Sequence, residues 1–226
     1  MQIRAYILLV AFSICFVTIG YSQPRNYVIK NGFSIGGGLT QYDIITDNFE
    51  TNSANGWLLS MAIGAELPHR WYDISYNIQF SENKIEISGR MTDDVAGEEA
   101  IKYKIFTAQA GLNFHINLIG SYLTLDVGPQ LQYNSGLELI NEDQESYFIN
   151  GYDALSALDI KEINHFNVNG VGGATVGIGF LKIRAQYIYG LTNMLNKLND
   201  LTVADGLEDK FKGNQSMITL TAFFIF

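Results

Sequence analysis

The chain has three histidines, His69, His115 and His165, and the imidazole is the side chain best suited to moving protons near neutral pH. His165 has Ser156, Asp159 and Glu162 close by in sequence. These are the residue types of a Ser-His-acid set, in which the imidazole takes the hydroxyl proton and the carboxylate orients the ring. All four lie in one connection between strands with nothing to hold them, and such a set works only in a fixed geometry. His69 falls in a tight turn and His115 at the end of a strand. The carboxylates of Asp93-Asp94 with Glu98-Glu99, and of Glu142-Asp143 with Glu145, are hard ligands that suit Ca²⁺ or Mg²⁺. They lack EF-hand spacing and read as solvated loops. Gly36-Gly37-Gly38 and Gly172-Gly173 lie within strands, where glycine admits a neighbour or a bend and does not cradle phosphate. The expectation is a chain with no catalytic, cofactor-binding or metal site, and therefore not an enzyme.

The elements that would position these groups are strands. In Trp71 to Phe80, residues Tyr72, Ile74, Tyr76, Ile78 and Phe80 alternate with Asp73, Ser75, Asn77 and Gln79. A period of two gives a strand with one apolar and one small polar face. The same alternation predicts eight strands, at 32–43, 57–67, 70–82, 101–117, 121–134, 165–177, 181–192 and 214–226. Within the fourth, Ile101, Tyr103 and Ile105 place apolar groups on the face that carries Thr107 and Gln109 further down. A bulge near Ile105 or the upper limit of a bilayer would account for that change. The connections alternate long and short: 45–56, 82–100, 134–165 and 192–213 are long, while 68–70, 118–120 and 178–181 are short. Long loops at one end and tight turns at the other describe an all-β, eight-stranded antiparallel transmembrane barrel of up-and-down topology in a bacterial outer membrane.

The side that meets lipid follows from the chemistry of the two faces. A soluble barrel would expose an outer face rich in Lys and Glu. Here the polar face is Ser, Thr, Gly, Asn and Gln, suited to a packed interior. With those strand limits, nearly all of the 23 acidic residues fall in the long connections. The apolar face therefore meets hydrocarbon, with Trp71, Tyr72, Phe114, Tyr122, Phe180 and Phe224 near the short turns. Trp57, Phe80, Tyr133, Phe166, Tyr187 and Tyr189 lie nearer the long loops, giving two interfacial girdles. A soluble β-sandwich shares the alternation but requires neither the loop pattern nor the closing Phe226.

The N-terminus, MQIR followed by an apolar run from Ala5 to Ile19 with Gly20 and Ser22 behind it, has the form of a signal peptide cleaved after Ser22. The run is short of the roughly 20 residues of a membrane helix. This divides the chain into a signal peptide, 1–22, and a barrel, 23–226. The single cysteine, Cys15, lies in the signal peptide, so no disulfide is available to the mature chain. Loss of Arg4 leaves 13 basic against 23 acidic residues, a balance that argues against nucleic acid as a partner. A few charges remain on the polar faces: Glu66, Asp73 and Asp126 near the short turns, and Arg184 at similar depth. Unpaired charges in a narrow lumen are costly. Arg184 is therefore expected to pair with Asp126, Asp73 or both, with Gln109, Gln130 and Gln186 completing a network that plugs the lumen.

YLTLDVGPQLQY at Tyr122–Tyr133, NVNGVGGATVGIG at Asn167–Gly179, RAQYIYGLTNM at Arg184–Met194 and the closing aromatic strand resemble the PorT-like outer membrane β-barrel proteins of Bacteroidetes. The resemblance implies a small closed barrel and offers an accessory place in an outer membrane secretion or assembly complex, that of type IX secretion, as one reading of function. The other reading is a structural or partner-binding barrel with a plugged lumen and acidic extracellular loops. Both place the chain in the outer membrane, in contact with the lipid bilayer, with the barrel assembly machinery during insertion, and with a possible protein partner at the loops.

Overall fold

A computed structural model describes residues 30–67, 70–91, 99–152, 155–200 and 210–226. The expected signal peptide and His69 lie outside the described residues, as do residues 92–98 with Asp93, Asp94 and Glu98. Eight long strands follow one another along the chain: β1 (Lys30–Thr46), β2 (Thr51–Glu66), β3 (Tyr72–Arg90), β4 (Glu99–Ile119), β5 (Leu123–Asn134), β6 (Phe166–Ile178), β7 (Leu181–Gly190) and β8 (Gly213–Ile225). Each pairs antiparallel with its sequence neighbours, and β8 pairs back onto β1 from Ser34↔Ile225 to Thr46↔Gly213. The seam continues past the strand ends, where Phe226 N–H donates to the Phe33 carbonyl at 2.8 Å and Phe33 N–H to that of Phe226 at 3.3 Å. The ring is closed, so no long strand has a free edge. Two further strands of two residues each, Glu138–Leu139 and Phe148–Ile149, lie in the β5–β6 connection and pair with the tops of β4 and β3. Gly120 and Gly179 adopt positive φ at two of the short turns, where a tight reversal needs a residue without Cβ strain.

The wall has two storeys, and its chemistry inverts between them. In the lower storey the outward residues are apolar: Tyr76, Ile78 and Phe80 on β3, Leu59, Met61 and Ile63 on β2, and Ile218, Leu220 and Phe224 on β8 are all exposed. The inward residues there are Ser75, Asn77 and Gln79, with Thr107, Gln109, Gln130 and Thr219, all buried. Above Phe80 and Phe106 the outer face turns polar with Glu82, Lys84 and Glu86 on β3 and Lys102 and Lys104 on β4, while the inner face turns apolar. Tyr42, Ile44, Ile85, Ile87, Ile101, Tyr103, Ile105 and Met217 form one buried cluster there.

This corrects three expectations. No bulge lies near Ile105: the β3–β4 ladder runs without a shift from Tyr72↔Ile116 to Gly89↔Glu99. Ile101, Tyr103 and Ile105 point inward in phase with Thr107, and what changes is the medium on each side of the wall. β2 and β3 also extend well past the expected limits, β2 starting at Thr51 and β3 running on to Arg90, so charge does enter strands, on the outer face above the lipid. Finally, the β5–β6 connection, whose acidic groups read as a solvated loop, contributes Leu137, Ile149, Leu155, Ile160 and Ile163 to the buried cluster. Glu138, Glu142, Asp143, Glu145 and Glu162 lie on the outside while every few positions an aliphatic residue turns down into the barrel mouth. Tyr103 Oη donates to the Ala157 carbonyl at 2.9 Å, tying this head to the wall, and Tyr42 Oη contacts Met194 Sδ of the β7–β8 connection at 3.3 Å. Burial pushes both phenols far above the ordinary tyrosine value, so they remain donors.

The two aromatic rims are present as ring contacts. Phe80 stacks on Phe106 and Tyr133 meets Phe166 edge-on at the upper rim, with centroids 6.4 and 5.2 Å apart. Trp71 with Tyr72, Phe180 with Phe224, and Phe33 with Phe226 form the lower one. From Trp71 to Phe80 is the roughly 9–11 residues a tilted strand needs to cross hydrocarbon.

Candidate functional site

The polar lumen ends at the short-turn side in a cavity of about 280 Å³. Ser75 (β3) and His115 (β4) line it, and Asp126 (β5) lies buried behind His115. The register His115↔Asp126 sets those two opposite each other, and Ser75 lies two residues along β3 from Asp73, the partner of His115 on that strand. Ser75 Oγ lies 2.7 Å from His115 Nε2, and His115 Nδ1 lies 2.6 Å from Asp126 Oδ1. With Asp126 as a carboxylate, Nδ1 carries the proton, and a neutral ring then leaves Nε2 to accept the Ser75 hydroxyl.

Asp126 is fully buried and its remaining valences are filled. Thr124 Oγ1 donates to Oδ1 at 2.8 Å, and Thr175 Oγ1 donates to Oδ2. Arg184 Nε donates to Thr175 Oγ1 at 2.9 Å and stands 3.4 Å from Asp126 Oδ2. Its guanidinium carbon lies 4.7 Å from the centre of the Phe223 ring, a cation–π contact. Arg184 Nη1 is buried with no hydrogen-bond partner, as is Asn113 Nδ2, whose residue lies directly across the ladder from Ser75.

Of the expected luminal pairs, Arg184 with Asp126 forms. Asp73 instead accepts the Leu67 N–H at 2.8 Å and Asn117 Nδ2 at 3.0 Å, holding the β2–β3 turn. Above the cavity, Gln109 Nε2 donates to Gln132 Oε1 at 2.6 Å, and Gln130 Nε2 donates to Gln79 Oε1 at 3.1 Å. Gln132 and Gln215 exchange two hydrogen bonds across the lumen, from β5 to β8. Gln109 and Gln130 are thus network members as expected. Gln186 is not, because its Nε2 finds no partner.

The outer-rim set does not converge. Ser156 Oγ donates to Asp159 Oδ2 at 2.7 Å, closing a local turn. His165 Nδ1 instead meets the Asn134 carbonyl at 2.9 Å, and its ring stacks on Tyr133. Glu162 pairs with Lys197. Spacing along the chain does not bring Ser75 to His115, although Ser75 falls on the polar face of its strand and His115 at the end of the next. His115 and Asp126 flank the Gly120 turn at nearly equal distances, a signal available by counting. Ser75 joins them only through the β3–β4 ladder, whose register a long connection leaves open.

A closed antiparallel barrel with an apolar outer belt, aromatic rims and its charge above the belt is an integral outer membrane β-barrel. No protein-family model matches the chain, and no curated protein matches it in sequence. Outer membrane proteins are among the solved structures similar to the chain. Neisserial surface protein A has 10% identity and a TM-score of 0.47, over 85% of this chain and 96% of that one. The outer membrane protein OprG from Pseudomonas aeruginosa has 10% identity and 0.45, over 88% and 97%. Ail, the attachment invasion locus protein of Yersinia pestis, has 13% identity and 0.40, over 87% and 99%. At these scores the likeness carries no argument of its own, and the class rests on this chain's ladders and its wall.

Proposed function

We propose that this protein is a non-conducting outer membrane barrel whose lumen is sealed by its own side chains and whose acidic outer head has a structural or partner-binding role. The observation that carries the reading is the set of bonds that cross the lumen between strands that are not neighbours. Gln132 with Gln215 and Gln130 with Gln79 do so in the lower storey, and Thr40 Oγ1 donates to Asn83 Oδ1 at 2.7 Å above them. An eight-stranded barrel is just wide enough for side chains to fill. Planar-bilayer recordings test the seal: conductance should stay near background for the wild type and for Arg184→Ala. Large, regular single-channel steps from the wild type would sink it.

In this reading residues 1–22 are a signal peptide removed at export. Phe226 completes the β1–β8 seam, and the barrel assembly machinery handles this closing aromatic strand during insertion. The head presents Glu142, Asp143 and Glu145 outward, with a buried aliphatic floor beneath, and so offers a defined surface to a partner. The PorT-like resemblance supports one specific version, an accessory component of a type IX secretion complex. Affinity purification from solubilised outer membranes separates the versions, because a complex member brings down partners in fixed stoichiometry.

A further inference from the structure

We propose that Ser75, His115 and Asp126 form a nucleophilic triad that opens to the periplasmic side and cleaves short acyl esters. This goes beyond the sealed-barrel reading, and beyond the expectation of a chain without enzymatic activity, which set His115 aside at the end of its strand and looked for a triad only around His165.

The chain of contacts runs in the order such chemistry requires: hydroxyl to Nε2 at 2.7 Å, then Nδ1 to a buried carboxylate at 2.6 Å. All three groups sit on paired strands rather than loops, so their geometry is held by backbone ladders. Asp126 is fixed further by Thr124 and Thr175, which leaves His115 one ring orientation. Ser75 and His115 both line the 280 Å³ cavity. Ser75 is the third residue after the start of β3, about 10 Å from the barrel end at roughly 3.4 Å per residue. A short acyl chain can reach that depth, and Ala62, Phe223 and Ile225 give it an apolar wall.

Two donors are available for the developing oxyanion. Arg184 lines the cavity and Asn113 lies across the β3–β4 ladder from Ser75, and Arg184 Nη1 and Asn113 Nδ2 are both buried without partners. An unpaired buried donor is costly at rest and useful where negative charge appears in a transition state. In the reaction, Ser75 Oγ attacks the ester carbonyl carbon while its proton passes to His115 Nε2. The carbonyl–alkoxy bond breaks and the alcohol leaves with that proton. Water then attacks the acyl-serine, its proton returns through His115, and the carboxylic acid departs with Ser75 restored.

The test uses the mature protein refolded in detergent, with heat-modifiable migration confirming the barrel for each variant. Diisopropyl fluorophosphate should give a single adduct mapped to Ser75 by peptide mass, and p-nitrophenyl butyrate should release p-nitrophenolate. Both should vanish in Ser75→Ala, and His115→Gln should slow them about 100-fold or more, the scale of a lost general base. Absence of the adduct, or an equal adduct in Ser75→Ala, would overturn the triad. None of these readouts depends on conductance, so the seal and the triad fail separately.

Discussion

Asp126→Asn together with Arg184→Gln forms the most informative pair of substitutions. Asp126 is fully buried and Arg184 nearly so, 3.4 Å apart and bridged by Thr175. At an effective dielectric near 20, unit charges at that distance attract by about 5 kcal/mol. Desolvating both ions offsets most of this, so the pair as a whole is close to neutral against an uncharged pair of the same shape. Removing one partner is different, because the other stays buried and uncompensated. Each single variant should therefore lose about 3–5 kcal/mol, and the double variant should recover more than half of the summed loss. Urea unfolding in lipid vesicles, followed by heat-modifiable migration, measures all four corners of the cycle. Strict additivity, or a single-variant loss under about 1 kcal/mol, would refute the claim that these charges are held dry and paired.

The remaining predictions address other parts of the molecule. Leu155→Ala or Ile160→Ala should cost about 2–5 kcal/mol of head stability and open the head to protease while the barrel still migrates as folded; in the wild type, residues 155–165 should resist cleavage. Gly128→Ala should sharply lower refolding yield, because a Cβ there runs into the Leu112 carbonyl oxygen across the β4–β5 ladder. Deleting Phe226 should reduce the amount of barrel reaching the outer membrane, read as heat-modifiable protein per cell. Tyr42 and Tyr103 have phenols raised by burial, so the unfolded chain releases these protons first. Stability of the head should therefore be level below about pH 10 and fall as pH rises beyond it, as read by protease susceptibility.

The fold was legible because a period of two in hydrophobicity survives any uncertainty about register. Tyr76, Ile78 and Phe80 had to share a face, and Ser, Asn and Gln opposite them could only be interior. The tops of the strands were misjudged for a related reason. Once the wall leaves the lipid, Ile85 and Ile87 point inward and Lys84 and Glu86 outward, so the top of β3 reads as a loop to an eye expecting apolar residues outside. The site was half legible. Arg184 with Asp126 followed from depth alone, as few charges share that level. Ser75 with His115 depends on a register across the β3–β4 connection that spacing along the chain does not fix, and the buried head depends on tertiary packing that acidity obscured.

The inversion at Phe80 and Phe106 also sets the height at which the protein rides. Sliding the barrel inward by two residues, roughly 7 Å along a strand, would push Glu82 and Lys104 into hydrocarbon. Sliding it outward by the same amount would lift Phe80 and Phe106 into water. Both moves are opposed around the circumference at once, so the molecule has a waterline marked in its sequence. The head above it, packed onto the same strands, is carried at a constant elevation and orientation over the lipid. Anything that docks there meets the acidic face at one distance from the membrane, with the reach of the interaction decided by strand length rather than by loop flexibility.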